Sequence, residues 1–530
     1  MAAALERKPL GNPLTHPAQY AAAVLKGMWR DDGTLGQKTV RGGLWNFSST
    51  LARKGLGMVQ YMVLARLLID ADFGLMALAG AVMELLDGLT DVGLGTALIQ
   101  GKDISRETLD TAWCIQIGRS LLLCAAIFFA APYVTEFYRS TAAADEQARY
   151  ALITPILRVI GLRFLVGGFT SVGIHLLRRE LDFRRVETLG IVTQTISITT
   201  TIVCGVLLRN VWALVIGQVL QQTLYTIGSY IVHPYRPAFH IQRDRAWGLI
   251  RFGANLTASG VLFLLTCNAP SFVLPKVLDL KEAGLFFLAF LLSNLPVSYL
   301  SNVIKGVIGS TYAKLQGDPE RLRKVFYTVV ELVAALAIPA SLGMCLLAPS
   351  FVRLAWGAEK LPMVACFQVL TLYGALNALA ESCEPFFIFT GRLYLRLGMH
   401  VVRLALLAGL IYPMSRSGGI VGAGFASVIS IGGCALWCYW MMARVLGGAA
   451  FWSWLQTLGR ILACCAGMAA VTEGLVRAGL CKQGAGLIGK LPLGFAATAL
   501  TGAGVYFVLL YFVSPGTVSG MRRLASKAAA

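Results

Sequence analysis

Stretches of about twenty mostly apolar residues recur from residue 44 to the carboxyl end of this 530-residue chain. A helix of about that length crosses a hydrocarbon layer roughly 30 Å thick. Inside lipid every backbone N–H and C=O has to be satisfied within the chain, which only helices and closed barrels achieve. Long continuous apolar runs exclude the barrel, whose strands alternate apolar and polar residues. The pattern therefore predicts an all-α, polytopic membrane protein. The composition agrees: 14% of residues are charged, against roughly 25% in soluble proteins.

About fourteen transmembrane helices are predicted, near residues 44–65, 73–98, 113–134, 152–173, 188–208, 211–232, 252–273, 284–307, 326–347, 364–388, 394–413, 418–441, 457–476 and 491–513. An even number of crossings places both termini on one side. The loops on that side hold twenty-six Lys and Arg, including Arg178, Arg179, Arg184 and Arg185, and the opposite loops hold twelve. Basic residues concentrate in cytoplasmic loops, so both termini are expected in the cytoplasm. The net charge of +19 is explained by this topology, and nucleic acid is not expected as a partner. Residues 1–43 are polar and basic, lack a cleavable leader pattern and read as a cytoplasmic tail. No loop is long enough for a folded domain, which argues against an enzyme working on polymer outside the membrane. Most of the twelve cysteines fall in apolar spans without metal-ligand spacing, as small packing residues do.

The chain resembles itself at an offset of 210 residues. Arg66-Leu67-Leu68 faces Lys276-Val277-Leu278, and Asp72, Gly74, Leu75, Leu78 and Ala79 face Glu282, Gly284, Leu285, Leu288 and Ala289. The repeat holds six spans, so the two copies are parallel. This predicts two six-helix lobes around a central cavity, an arrangement suited to alternating access. The expected divisions are the tail at 1–43, a first lobe at 44–233, a cytoplasmic linker at 234–251, a second lobe at 252–445, and two further helices with a short tail at 446–530.

Charges fall inside the spans. A charge at the bilayer centre costs about 3 kcal/mol or more unless it meets water or a partner, so these residues imply a hydrated interior. The basic ones deep enough to line a cavity are Arg53, Lys54, Arg119, Arg158, Arg163 and Arg403, whereas Lys305 and Arg460 sit near span ends. Arg53 and Lys54 are about 100° apart on a helix and point differently; Arg53 is slightly preferred. The excess of guanidinium suits an anionic cargo such as a lipid diphosphate, because guanidinium binds phosphate oxygens in pairs. An ion pair with a carboxylate such as Asp87 is the other reading of these arginines. Glu84, Asp87 and Asp91 share one face of the second span, and Glu381 and Glu384 share a face of the tenth. Grouped acids favour a shared proton or bound cation, so these five are candidates for ion coupling. Neutralising the arginines is their other role. No Walker-type nucleotide loop is present, and no metal or cofactor is expected beyond H⁺ or Na⁺ as a coupling ion.

Short motifs add a resemblance. Ala65-Arg66-Leu67-Leu68 through Asp72-Phe73-Gly74, then Asp91-Val92-Gly93-Leu94-Gly95 running on to Ala97-Leu98-Ile99-Gln100, then Arg179-Glu180-Leu181-Asp182-Phe183-Arg184-Arg185, with Val211-Trp212-Ala213-Leu214, Gly317-Asp318-Pro319-Glu320-Arg321 and Leu347-Ala348-Pro349, fall in order over residues 40–450. This series resembles the Wzx-type lipopolysaccharide and exopolysaccharide flippases of the multidrug/oligosaccharidyl-lipid/polysaccharide superfamily. The resemblance implies a transporter in the bacterial inner membrane that flips an undecaprenyl-diphosphate-linked oligosaccharide by ion-coupled alternating access. Its partners would be that polyprenyl diphosphate, membrane lipids, and a polysaccharide polymerase with export machinery. Position 70 departs from the pattern, reading Ile69-Asp70-Ala71, and Gly357-Ala358-Glu359-Lys360-Leu361 lacks the expected Trp. A lipid II flippase and a multidrug antiporter share the architecture and stand as alternatives. A membrane polymerase or ligase is the alternative outside transport.

Overall fold

The computed structural model describes residues 35–91, 93–100, 105–144, 146–294, 312, 315, 318–446, 449–478 and 493–514. Among them the chain is helical and contains no strand. The helices, numbered along the chain, are α1 Leu35–Leu67, α2 Asp70–Thr90, α3 Leu94–Gln100, α4 Arg106–Arg139, α5 Gln147–Ala151, α6 Ile153–Gly168, α7 Gly173–Arg179, α8 Phe183–Leu208 and α9 Trp212–Val232. They continue as α10 Arg243–Val277, α11 Leu280–Ser293, α12 Pro319–Trp356, α13 Val364–Glu381, α14 Cys383–Phe389, α15 Leu393–Leu446, α16 Ala449–Arg477 and α17 Leu493–Val513. Each expected span falls mostly on helix, with breaks at Asp91 and Gly93 in the second, after Gly168 in the fourth and at Ser382 in the tenth; residue 92, the end of the eighth with Lys305, and the first two residues of the last lie outside the described residues.

Nine of the described helices are long and apolar enough to cross a membrane. α1 and α9 fall short of that standard because Arg53 and Lys54 lower the hydropathy of one, and Gln218, Gln221 and Gln222 that of the other. α1 also begins at Leu35, inside the stretch assigned to the tail.

Local chemistry sets the boundaries. Asp182, Asp279 and Asp318 each accept a hydrogen bond from the backbone N–H three residues on, satisfying one of the orphan donors at a helix start. α15 covers two expected crossings. It is broken at Gly418 and Gly419, where Gly419 takes φ +57, a conformation that costs glycine little. The second span breaks in the same way: Asp91 is extended and Gly93 has φ +58, so α2 stops and α3 restarts.

Below, the end of the bundle where α1, α4 and α12 finish is called distal and the opposite end proximal. The repeat becomes physical near the distal end. A side chain on Gly74 would run into the Leu280 carbonyl, and one on Gly284 into the Asp70 carbonyl. These four residues are two pairs offset by 210, so α2 and α11 cross at an approximate twofold with nothing but hydrogen between their backbones.

Candidate functional site

In the first lobe α1 packs on α8, α8 on α9, α9 on α6 and α6 on α4. The inner walls of this ring carry polar groups that apolar packing does not require. Arg53 of α1 pairs with Glu187 of α8 at 2.9 Å, and Ser49 donates to the same carboxylate. Gln194 of α8 donates to the Arg53 carbonyl. On the far wall Arg119 of α4 pairs with Asp87 of α2 and donates through Nε to the Thr90 hydroxyl at 3.0 Å. Arg163 of α6 is exposed and reaches Gln218 of α9 only at 3.5 Å. Between these walls, toward the proximal end, lies a cavity of about 390 Å³ lined by Asp87, Asp91, Arg119, Arg163, Gln116 and Gln222 among others.

The second lobe is built differently. Arg403 of α15 is 3% exposed and donates to the Tyr373 hydroxyl of α13. Phe290 lies 5.2 Å from the Tyr373 ring and Phe263 5.6 Å from His400, closing aromatic walls around the charge. Glu384 pairs with Arg396 at 2.9 Å, largely shut from solvent, and Glu381 accepts from Asn377 at 3.1 Å.

Two residues stand at the boundary of the lobes. Glu84 of α2 accepts a hydrogen bond from Asn268 of α10 at 3.0 Å. Lys54 of α1 lies within the electrostatic reach of Glu381 in the second lobe. Lys54 is one helical turn from Met58, on the same face. Met58 and Leu292 form one edge of an almost wholly apolar groove of about 470 Å³, completed by Leu336, Met468, Ala503 and Phe507 of α12, α16 and α17. The two helices outside the repeat thus build an apolar trough that ends at α1 and α11.

The lobes are tied at the distal end by an exchange. Arg66 of the first lobe donates to the Ala355 and Leu354 carbonyls that end α12, the first at 2.6 Å. Lys276, its partner in the repeat, donates to the Phe137 carbonyl near the end of α4 and to Ser140. Next to Ala355, Trp356 donates to the Tyr61 carbonyl of α1 at 3.2 Å; next to Phe137, Tyr138 donates to the Phe272 carbonyl of α10 at 2.8 Å. Lys360 and Asp70, both nearly buried, form an ion pair between the lobes. The pattern departure at position 70 therefore supplies a carboxylate that Lys360 uses. The equivalent crossings differ elsewhere: α2 runs beside α10 as far as Gly88 and Leu264, whereas α1 meets α11 through Tyr61 and Phe287 at 6.0 Å.

Several sequence expectations need correction. The six basic candidates do not share one chamber. Arg403 is buried, donates to the Tyr373 hydroxyl and lies over that ring, away from the first-lobe cavity. Arg53 is consumed by Glu187, which lies in α8 just ahead of the expected fifth span, so Lys54 rather than Arg53 faces the second lobe. Arg119 both pairs with Asp87 and lines the first-lobe cavity. Arg158 leaves the interior and lies 4.4 Å over Phe128, a ring on the exposed outer face of α4. Arg163 does line a cavity.

The acids also part. α2 ends at Thr90, so Asp91 leaves the helix and accepts from the Gly93 N–H, while Glu84 turns to Asn268 and Asp87 to Arg119. Glu381 ends α13 and Glu384 stands one turn on in α14, with Ser382 between them still right-handed helical, yet they bond different partners, Asn377 and Arg396. The sequence reading weighed charges alone and passed over Glu187, Gln116, Gln222 and Tyr373. Glutamines inside spans were the available signal, since a neutral amide in lipid also requires a partner.

A sequence profile for the family described as "Polysaccharide biosynthesis protein" matches residues 63–365. The chain is 26% identical over 433 residues to the lipopolysaccharide biosynthesis protein WzxC of Escherichia coli (strain K12), covering 80% of this chain and 85% of that one. It is 23% identical over 355 residues to the succinoglycan biosynthesis transport protein ExoT of Rhizobium meliloti (strain 1021), covering 67% and 69%. The fold is similar to that of the lipid II flippase MurJ in its inward closed conformation, with TM-score 0.72 and 12% identity over 89% of this chain and 99% of that one. It is also similar to an inward-facing multidrug resistance MATE transporter, with TM-score 0.57 and 17% identity over 81% and 99%.

Proposed function

The chain belongs to the polysaccharide biosynthesis protein family, and from that premise we propose that it flips a polyprenyl-diphosphate-linked oligosaccharide across a bacterial inner membrane by alternating access. It is a multi-pass membrane transporter of polysaccharide biosynthesis and not an enzyme. One observation carries the cargo assignment: Lys54 stands one turn from Met58 at the edge of an apolar groove, and the first lobe beside it holds a polar hollow. The groove of Met58, Leu292 and the α16–α17 pair suits a polyprenyl chain, since apolar walls cost a hydrocarbon nothing. The first-lobe hollow suits a hydrated glycan. Lys54, one turn from Met58, supplies a cation where the diphosphate would sit.

The distal end is the external face in this reading and the termini are cytoplasmic, which agrees with the distribution of basic loops. The exchanged bonds of Arg66, Lys276, Trp356 and Tyr138 close that face. Opening it toward the outside means breaking bonds made between lobes while leaving each lobe intact. H⁺ or Na⁺ would bias that equilibrium at Glu84 and Glu381, two acids on the lobe boundary away from the Asp70–Lys360 pair. A polymerase and export machinery would receive the glycan outside.

The test uses the purified full-length chain in proteoliposomes loaded with lipid-linked repeat units, scored by accessibility of the sugar to an external glycosidase. Ala503 is exposed in the groove, so Ala503→Trp fills it without entering the core. Flux is expected to fall at least tenfold with thermal unfolding unchanged. Wild-type vesicles that move no lipid-linked sugar would sink the transporter assignment, and unaltered flux in Ala503→Trp would sink the tail groove.

A further inference from the structure

We infer that the cavity inside the first lobe is a sugar-reading site, which selects the uncharged, hydroxyl-bearing part of the cargo and leaves its diphosphate to Lys54. This rests on the flippase reading and adds where specificity is decided.

The argument begins with charge balance. Among the described residues the cavity is walled by two carboxylates, Asp87 and Asp91, and two guanidiniums, Arg119 and Arg163. His175 of α7, past the end of the fourth span, also lines it. Burial first, and then the nearby Arg178, push His175 down to about 4, so it is neutral at physiological pH. The wall is therefore balanced overall, and it draws in neither a diphosphate nor a metal cation by net attraction. Asp87 and Arg119 neutralise each other directly.

What remains is a dense set of directional groups. Arg163 has one long bond, to Gln218. Asp91 sits beside the break between α2 and α3 and holds the Gly93 N–H there. Gln222, Thr96 and Thr170 line the same space, with Phe164 as an aromatic wall. The His175 Nδ1 is a buried polar atom with no hydrogen-bond partner among the described residues. Sugar hydroxyls both donate and accept. They match walls that mix carboxylate, amide, guanidinium and hydroxyl groups, and a site built to bond a hydroxyl strongly rejects analogues that lack it.

The surrounding structure holds these groups in place. Gln116 donates from one amide nitrogen to the Gly167, Gly168 and Thr170 carbonyls at 3.0–3.2 Å, pinning the end of α6. A side chain on Gly168 would strike Ser120 of α4, so α4 and α6 stay close. Preorganised donors lose less entropy when a ligand binds.

The experiment compares two lipids in the same proteoliposomes. Both carry polyprenyl diphosphate; one bears the complete repeat unit extracted from the producing cells and the other only its first sugar. In Arg163→Gln and Gln222→Ala the ratio of full-repeat to first-sugar flux is expected to fall at least fivefold, with unchanged thermal unfolding. Arg163→Lys is expected to recover part of that ratio. Arg158→Gln, outside the cavity, should leave it at the wild-type value. An unmoved ratio with both fluxes lowered equally would show a structural wall and overturn the sugar site while the flippase reading stands. Wild-type vesicles that move neither lipid overturn both.

Discussion

The two lobes descend from one repeat yet treat their buried charges oppositely. In the first, Arg119 and Arg163 look into a hollow, and the carboxylates that pair Arg53 and Arg119 come from other helices of that lobe. In the second, Arg403 is shut away behind Tyr373 and a shell of aromatic rings. An intramembrane arginine is therefore not by itself a mark of a wet passage. What decides is whether the opposing wall is aromatic and close or amide-bearing and set back. Phe290, Tyr373 and Phe263 fill the space in one lobe, whereas Gln116 and Gln222 border an open one in the other.

The contrast can be broken most severely at Arg403. Arg403→Ala leaves Tyr373 and its neighbours around an empty space and removes a buried charge from its partners. A buried hydroxyl left unbonded costs about 1–3 kcal/mol, and the cavity adds to it. The variant is expected to unfold at markedly lower temperature in detergent and to accumulate poorly in membranes. Normal stability with reduced flux would instead put Arg403 in the passage.

The part the lobes share gives an intermediate effect. Arg66→Ala with Lys276→Ala removes both exchanged caps and should shift the protein toward a state open at the distal end. The readout is faster labelling of a cysteine placed at Phe287 by a membrane-impermeant reagent, several-fold over the parent. Equal rates would mean that the caps do not hold that end closed.

A smaller effect is expected at the first-lobe ion pair. Arg53→Ala leaves Glu187, itself nearly buried, without its cation. It should cost more stability than the Arg53→Ala, Glu187→Ala double variant, with a coupling of about 1–3 kcal/mol by double-mutant cycle. Additive losses would place Arg53 on cargo rather than on Glu187.

The helical class, the positions of the spans and the offset of the repeat were legible because apolar length and parity are one-dimensional properties. Gly74 and Gly284 were readable as a matched pair, although their face-to-face packing was not. The site was harder to read. Adjacent Arg53 and Lys54 differ only in azimuth, and which points at Glu187 depends on the tilt of α1 against α8. The row Glu84, Asp87, Asp91 assumed a continuous helix, but Gly93 ends it and sends the three side chains to different partners. Charge counting also favoured arginine over Gln116 and Gln222, which carry no formal charge yet line the space.

The crosswise capping of α4 and α12 has a consequence for how the chain is made. Arg66 awaits a carbonyl 289 residues downstream, and the Phe137 carbonyl awaits Lys276, 139 residues later. During synthesis the earlier lobe would enter the bilayer with its third crossing unfinished, held by water or by the insertion machinery until its twin emerges. Half of this chain produced alone should accordingly be a poor folder, and the two halves supplied as separate polypeptides should rescue each other.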